Sequence, residues 1–579
     1  MKHRLPSSRA FVFLLALLLA VSSPAQAADA PAPRAPRSQN VTINLINRLV
    51  ERGLLPQSDA DELIKQAQED AAAARAEALA ATPAGPAPAP AGTVRVTYVP
   101  EIMRTQIRDE LKAEVLAQAR AERWADPRAV PDWVTRFRVS GDLRVRGEGV
   151  IFPSGNDNTG AFPNFNAINT GSPFDVSGSV FSPQLNVDQD RNRLRLRARI
   201  GAEVQLGDGY TTGLRLATGD NNSPVSANQS FGASGSGQGG NFSKYAIWLD
   251  RAFLKYETGD PEANLAATFG RFENPFFSTD LIWDDDLGFD GFAVRGSRRL
   301  AGDVTGFVTA GAFPVFNTDL NFASNQPAKF RSTDKWLYGA QLGADWKIRD
   351  DVRLKAGLAY YDFQNIEGRL SSPFTPLNSS DQGDTDGTRP AFAQKGNTYM
   401  ALRNITPSAL NGFGTTSQFQ YFGLATPYRD LALTVRLDLN HYAPVQVSFL
   451  ADFVKNLAAD PVAIAAKAVN NLGAAGAGSY AGSDYAWLFG VRVGHVALEK
   501  RGDWSLALNW RRVGSDAVVD GFNDSDFGGG GTNVQGYTLA ATYALSPRVA
   551  LGLRWMSSNE VAGPAFKTDS LTLDLNAKF

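Results

Sequence analysis

The chain has 579 residues, with 57 Lys or Arg, 59 Asp or Glu, no Cys and a formal net charge of −2. This charge balance argues against a nucleic-acid binder, and the lack of cysteine excludes disulfide bonds and thiolate metal sites. The mean hydropathy of −0.21 is that of a soluble protein, but a membrane β-barrel gives the same value because its polar and apolar residues alternate.

The first 27 residues have the three-part form of a secretory signal peptide. A short basic segment precedes an apolar run from Phe11 to Val21, and the small-residue pattern Ala25-Gln26-Ala27 follows. We expect cleavage before Ala28 rather than an uncleaved anchor, because the apolar run is shorter than the roughly 20 residues of a spanning helix. Cleavage removes three basic residues, which leaves 54 basic against 59 acidic residues and a net charge of −5.

Three segments follow the signal peptide. Residues 28–81 are predicted to form a helical hairpin, because apolar residues recur at helical spacing from Val41 to Leu55 and a second helix follows. Residues 82–98 are rich in Ala and Pro and indicate an extended spacer. Residues 99–130 are predicted to form a charged helix with one narrow apolar stripe. This helix is either a short coiled coil in an oligomer or packs against the domain that follows.

From Thr135 onward the period of the pattern changes from about 3.6 residues to 2, the period of a β-strand. Two runs place arginines on one face and mostly apolar residues on the other: Arg136, Arg138, Arg144 and Arg146 in the first, and Arg193, Arg195, Arg197 and Arg199 in the second. Fourteen further alternating runs bring the predicted strands to sixteen: 210–218, 244–257, 264–273, 288–298, 303–314, 334–347, 352–364, 430–441, 444–456, 484–498, 503–514, 533–544, 548–559 and 568–579.

The connections between these runs alternate in length. Tight turns such as Gly207-Asp208-Gly209 alternate with long polar segments. Short turns on one rim and long loops on the other are the plan of an outer-membrane barrel. In the last run, Leu571, Leu573 and Leu575 share one face, which indicates a lipid-facing exterior around a wet lumen. We therefore predict an all-β membrane barrel of about 16 antiparallel strands over residues 131–579.

The chain resembles bacterial outer-membrane porins, most closely the group catalogued as putative porins. The resemblance runs from Tyr98 to Phe579 and includes Pro131-Asp132-Trp133, Gly141-Asp142-Leu143-Arg144 and the segment Gly270 to Phe276. It implies a water-filled channel, in contact with outer-membrane lipid, for passive diffusion of small hydrophilic solutes and ions. It also implies a homotrimer with its N-terminal helices in the periplasm, and a terminal Phe579 read by the barrel-assembly machinery.

The candidate functional residues form two charged sets. We expect the eight arginines to form a basic wall of the pore, because an Arg that faces lipid at mid-membrane costs roughly 2–4 kcal/mol. General porins, which the chain resembles, fold their third long loop into the lumen. Here that loop contains Asp280, Asp284, Asp285 and Asp286, which we predict to face the arginines across a constriction. The alternatives are a solvated rim loop and a surface cation site.

The sequence is also compatible with other functions. The arginines would give an anion-selective pore if the acidic loop turned outward, and the segment from Ile366 to Asp430 is long enough to close the barrel as an adhesin or structural anchor. An enzyme is disfavoured, because His441 and His495 lie in predicted strands without a catalytic motif. The pair Asp524 and Asp526 resembles part of a Ca²⁺ loop but lacks its closing Glu. We expect no cofactor, no metal ion and no nucleic-acid partner.

Overall fold

The computed structural model describes residues 132–579, apart from 220–222, 235–238, 319–328 and 474–477, together with Lys65, which is helical. The chain divides into two compact units, Met1–Ala125 and Asp126–Phe579. The predicted signal peptide, the spacer, the charged helix and, apart from Lys65, the hairpin lie outside the described residues.

Sixteen antiparallel strands of the second unit form a closed barrel, as predicted. They are β1 Phe137–Ile151, β2 Arg191–Gly207, β3 Tyr210–Ala217, β4 Trp248–Gly259, β5 Ala263–Phe272, β6 Phe289–Ala301, β7 Val304–Phe316, β8 Lys335–Arg349, β9 Val352–Gln364, β10 Tyr428–Tyr442, β11 Val445–Asn456, β12 Tyr485–His495, β13 Trp504–Val513, β14 Val534–Ser546, β15 Val549–Glu560 and β16 Lys567–Lys578. Each strand pairs with the next, and β1 pairs with β16 from Asp142↔Lys578 to Ile151↔Asp569. This last pairing closes the barrel and leaves no free sheet edge.

Short elements lie before and between these strands. The helices are α1 Asp132–Thr135, α2 Phe165–Thr170 and α3 Pro461–Lys467. Short strands lie at Phe174–Asp175, Gln229–Ser230, Tyr399–Ala401, Phe419–Gln420 and Phe422–Leu424, and 3₁₀ turns at Asp386–Thr388, Ala409–Gly414 and Phe527–Gly529. None of the helices in the described part of the chain is long and apolar enough to cross a membrane.

The two faces of the strands differ in exposure as the alternation predicts. In β8 the outward Leu342 is 68% exposed, whereas its inward neighbour Gln341 is 1% exposed. In β16 the inward Thr572 and Asp574 are buried. Because the apolar face points outward and the polar face inward, the barrel has the distribution expected of a protein with a lipid-facing exterior and a polar interior.

Eight loops connect the strands at one rim, and all but loop 8 are long. They are loop 1 (152–190), loop 2 (218–247), loop 3 (273–288), loop 4 (317–334), loop 5 (365–427), loop 6 (457–484), loop 7 (514–533) and loop 8 (561–566). At the other rim six turns have two or three residues, and the seventh, 496–503, has eight.

Loop 3 folds into the barrel and packs on its inner wall. Its Trp283 is 4% exposed and lies edge-on to Tyr361 of β9, with ring centroids 5.2 Å apart. Loop 7 folds inward beside it: Asp284 N–H donates to the Phe522 carbonyl at 2.8 Å, and Asp524 N–H donates to the Asp280 carbonyl at 3.1 Å. These contacts fix the two loops as one layer across the lumen.

Candidate functional site

The two predicted arginine runs are adjacent strands. In the β1–β2 register Arg146 lies opposite Arg195 and Arg144 lies opposite Arg197, so alternation brings their side chains to the same inner face. We call Arg144, Arg146, Arg193, Arg195, Arg197 and Arg199 the arginine ladder. Its like charges would repel each other in a medium of low dielectric constant, so their close spacing requires acidic partners.

Two carboxylates of β1 lie within the ladder. Asp142 accepts from Arg199 Nε at 2.7 Å and from Arg197 Nη2 at 3.1 Å. Glu148 pairs with Arg193 and accepts from Arg195 Nη1 at 3.1 Å. Two carboxylates of β1 therefore neutralise part of the positive charge at both ends of the ladder. The alternation of the sequence alone did not predict these ion pairs.

Loop 3 reaches the ladder through Asp286. Its Oδ1 atom lies 3.1 Å from Arg197 Nη1 and 3.6 Å from Arg199 Nη1. The predicted meeting of acidic loop and basic wall thus takes the form of direct ion pairs rather than charges that face each other across open water.

The other predicted aspartates of loop 3 point elsewhere. Asp280 accepts from Arg511 of β13 at 3.0 Å, and the second terminal nitrogen of Arg511 donates to Asp524 of loop 7 at 2.8 Å. The carboxylate of Asp284 accepts the backbone N–H of Asp286 and of Ser525. Neither Asp284 nor Asp285 forms an ion pair with any residue that the structure describes.

Loop 7 brings a second acidic group to the ladder. Asp526 lies 2.7 Å from Arg146 and 3.3 Å from Arg554 of β15, and Asp574 of β16 accepts two bonds from Arg146. Arg511, Asp524, Asp526 and Arg554 were therefore missed as site residues. The sequence contained one signal, the four consecutive glycines Gly528 to Gly531 at the end of loop 7. All four have positive φ in the structure, as a tightly folded loop requires.

Burial and neighbouring charges move the pKa values of these loop carboxylates in opposite directions. Burial raises the pKa of Asp284 to about 8 and also raises that of Asp285. Burial and the charge of Asp280 raise the pKa of Asp524 to about 6. Burial also opposes ionisation of Asp280 and Asp526, but the adjacent arginines hold both pKa values below the ordinary value.

The remaining predicted residues lie outside this cluster. Arg136 and Arg138 lie near the short-turn end of β1, are exposed, and do not line the cavity at the ladder. Phe579 lies where the barrel closes: its N–H donates to the Gly141 carbonyl at 3.1 Å and its carbonyl accepts from Gly141 N–H at 3.0 Å. This contact extends the β1–β16 pairing to the last residue.

The charged cluster surrounds a small cavity of 250 Å³. Five arginines and six aspartates line it: Arg144, Arg146, Arg197, Arg511, Arg554, Asp280, Asp284, Asp285, Asp286, Asp524 and Asp526. Toward the long loops a cavity of 460 Å³ follows, which shares Asn228, Ser525, Asp526 and Met556 with it. A third cavity of 1180 Å³ extends toward the short turns. The cluster therefore surrounds the smallest of these three cavities by volume.

His441 and His495 lie near the short turns, away from this cluster. His441 Nδ1 lies 3.0 Å from Asp351, and His495 Nε2 lies 3.5 Å from Asp503. In the part of the chain that the structure describes, no three His, Cys, Asp or Glu side chains are grouped to hold a metal ion.

Comparison with known structures finds barrels of low sequence identity. OprB of Pseudomonas putida at high pH is 13% identical with a TM-score of 0.41, and the match covers 79% of this chain and 97% of that one. The outer-membrane channel DcaP of Acinetobacter baumannii is 14% identical with a TM-score of 0.35, covering 76% and 97%. OmpF of Salmonella typhi, in complex with daunomycin, is 10% identical with a TM-score of 0.34, covering 76% and 97%.

Sequence comparison is more decisive. No curated protein is similar enough in sequence to count as a match. In contrast, the sequence model of the family described as "Putative porin" matches residues 39–579, which includes the whole barrel. Family and fold indicate a channel rather than an enzyme, and the chain belongs to the Putative porin family.

Proposed function

We propose that this barrel is a water-filled outer-membrane pore for passive diffusion of small hydrophilic solutes and ions, with its constriction at the arginine ladder. The observation that carries the proposal is the 250 Å³ cavity, where arginines of the wall meet aspartates of loops 3 and 7. Charges held around a narrow lumen set the local concentration of counter-ions and so select among ions.

The charge balance differs along this path. Four basic residues and two acidic ones line the 460 Å³ outer cavity: Arg191, Arg193, Arg195, Lys395, Glu148 and Asp526. The constriction itself carries five arginines and six aspartates. We therefore propose that the outer half of the path attracts anions, while the constriction is nearly balanced. If the outer half determined the ion selectivity of the whole path, the pore would be anion-selective, which is the alternative function.

Neutralising two outer arginines tests this proposal. We expect Arg191→Gln with Arg193→Gln to lower the Cl⁻/K⁺ permeability ratio at least about twofold, because two of the four positive charges of the outer cavity are lost. Planar-bilayer reversal potentials in a KCl gradient measure the ratio. The matched control is Arg136→Gln with Arg138→Gln, an equal loss of charge at exposed positions. An unchanged ratio in the first variant would reject the outer anion path.

Selectivity should also depend on pH. A carboxyl group is neutral below its pKa and charged above it, so Asp284, with a pKa of about 8, is mostly neutral at pH 7. Raising the pH from 6 to 9 adds negative charge to the constriction, and we expect the K⁺/Cl⁻ permeability ratio to rise. Asp284→Asn should remove part of this rise, because Asp524, with a pKa of about 6, and Lys395, with a pKa of about 7, also titrate in this interval. An equal rise in the variant would assign the effect to other groups.

Absence of any single-channel current would reject the pore and favour a barrel closed by its loops, acting as an adhesin or anchor.

An outer-membrane location agrees with the family and the barrel. We also propose that the chain forms a homotrimer, that its N-terminal helices lie in the periplasm, and that Phe579 is read by the barrel-assembly machinery. A monomeric mass by light scattering of the refolded protein would contradict the trimer.

A further inference from the structure

We propose that the outer mouth of the barrel contains a binding site for small organic carboxylates with an aromatic body, formed by Lys395 and Phe566. This site lies before the constriction and is distinct from the arginine ladder. It would make transport of such anions saturable, which passive diffusion through a charged pore does not imply.

Lys395 lies between two cavities. A cavity of 670 Å³ among loops 1, 5, 6, 7 and 8 and the 460 Å³ outer cavity share four lining residues, Leu185, Gln394, Lys395 and Phe566. The larger volume falls within the range of small-molecule sites, which is roughly 300–1,000 Å³. A solute held at Lys395 would therefore have room for its body on one side and a path to the ladder on the other.

The ammonium group of Lys395 lacks an acidic partner. Its Nζ atom lies 4.1 Å from the centroid of the Phe566 ring. The described residues provide it with no ion pair within 4.0 Å. Glu560 lines the same cavity, but its carboxylate accepts the backbone N–H of Phe566 at 3.1 Å. A partly buried cation with only an aromatic contact favours the approach of an anion.

The electrostatic state of Lys395 agrees with this geometry. Burial lowers its pKa to about 7, and the charge of Glu560 opposes that shift only in part. A bound carboxylate would favour the charged ammonium and so recover part of the cost of its burial.

The backbone around Lys395 is held in place. Its carbonyl accepts from Thr532 N–H of loop 7 at 2.7 Å. At Gly531, where φ is +88°, a Cβ atom would lie 2.0 Å from that same carbonyl oxygen, so loop 7 approaches Lys395 as closely as only glycine allows. The site is therefore pre-organised, which reduces the entropy cost of binding.

An aromatic wall gives the site specificity for the apolar body of the ligand, in addition to its charge. Phe566 is 3% exposed and contacts Phe162 and Phe152, with ring centroids 5.6 Å and 6.3 Å apart. Phe162 and Phe165 also line the larger cavity. Such a wall favours the flat apolar body of an organic anion over a fully hydrated inorganic one.

Calorimetric titration of the full-length refolded protein with sodium benzoate tests the site. We expect saturable binding of benzoate, and at least about tenfold weaker binding of neutral benzamide and of acetate. Lys395→Met should weaken benzoate binding about tenfold or more and leave benzamide binding unchanged. Lys395→Arg, which keeps the charge, should retain benzoate binding. The matched control is Lys244→Met, which removes an exposed charge from loop 2.

Several outcomes would overturn the site. Equal affinity for benzoate and benzamide would remove the role of charge, and unchanged affinity in Lys395→Met would remove the role of Lys395. Loss of binding in Arg191→Gln with Arg193→Gln, but not in Lys395→Met, would assign binding to the ladder instead. Calorimetric titration does not measure current. Failure to bind benzoate would therefore reject the site but not the pore, whereas absence of current would reject the pore but not the site.

Discussion

Replacing Arg511 with Met is expected to widen the constriction and destabilise the barrel. The Arg511 side chain is 4% exposed and pairs with Asp280 of loop 3 and Asp524 of loop 7, so it ties both loops to β13. Breaking a buried ion pair by removal of one partner costs about 3–5 kcal/mol. We expect the two released carboxylates to move toward water, which would draw both loops from the wall and raise single-channel conductance about twofold.

The matched control for this variant is Arg512→Met. Arg512 is the next residue of β13, and its guanidinium lies 4.5 Å from the Tyr485 ring and donates to Ser483 rather than to loops 3 and 7. Its replacement should leave conductance unchanged. An Arg511→Met protein with wild-type conductance and an unchanged midpoint of thermal unfolding would contradict the tethering role.

The barrel was predictable because each strand carries its own signal. Alternation of polar and apolar residues assigns every position to one of two faces, and a shift by one residue would bring arginines such as Arg197 to lipid. The predicted strands therefore differ from the observed ones mainly at their ends. For example, β2 begins at Arg191 rather than Arg193 and continues to Gly207.

The constriction was predictable only in part, because its contacts join distant segments. Asp286 could be expected near the ladder from loop 3, but the partner of Asp280 is Arg511, 231 residues away. Asp526 lies 380 residues from its partner Arg146. No periodicity relates such residues, since their meeting depends on how two loops pack against each other inside a closed barrel.

The inward fold of loop 7 changes what loop 3 can do. Phe522 accepts a backbone hydrogen bond from loop 3, and Ser525 N–H donates to the Asp284 carboxylate at 3.0 Å. Loop 3 is thus held between the barrel wall and loop 7. The carboxyl groups of loop 3 are therefore held in fixed positions, and a charge held in place selects ions more effectively than one that can move away from the solute.

Replacing Asp284, Asp285 and Asp286 with Asn is expected to shift the pore strongly toward anions. The change removes three of the six acidic side chains of the constriction and leaves its five arginines, with Arg197 deprived of its loop 3 partner. We expect the Cl⁻/K⁺ permeability ratio to rise at least about threefold at pH 9, where Asp284 is charged in the wild type.

The effect should be smaller at pH 6, because Asp284 is then already neutral in the wild type. The matched control replaces Asp303, Asp350 and Asp351 with Asn, an equal change of charge at exposed positions in the short turns. Reversal potentials at both pH values compare the two variants. If the two variants gave equal reversal potentials, selectivity would depend on the total charge of the barrel and not on the position of the charges in loop 3.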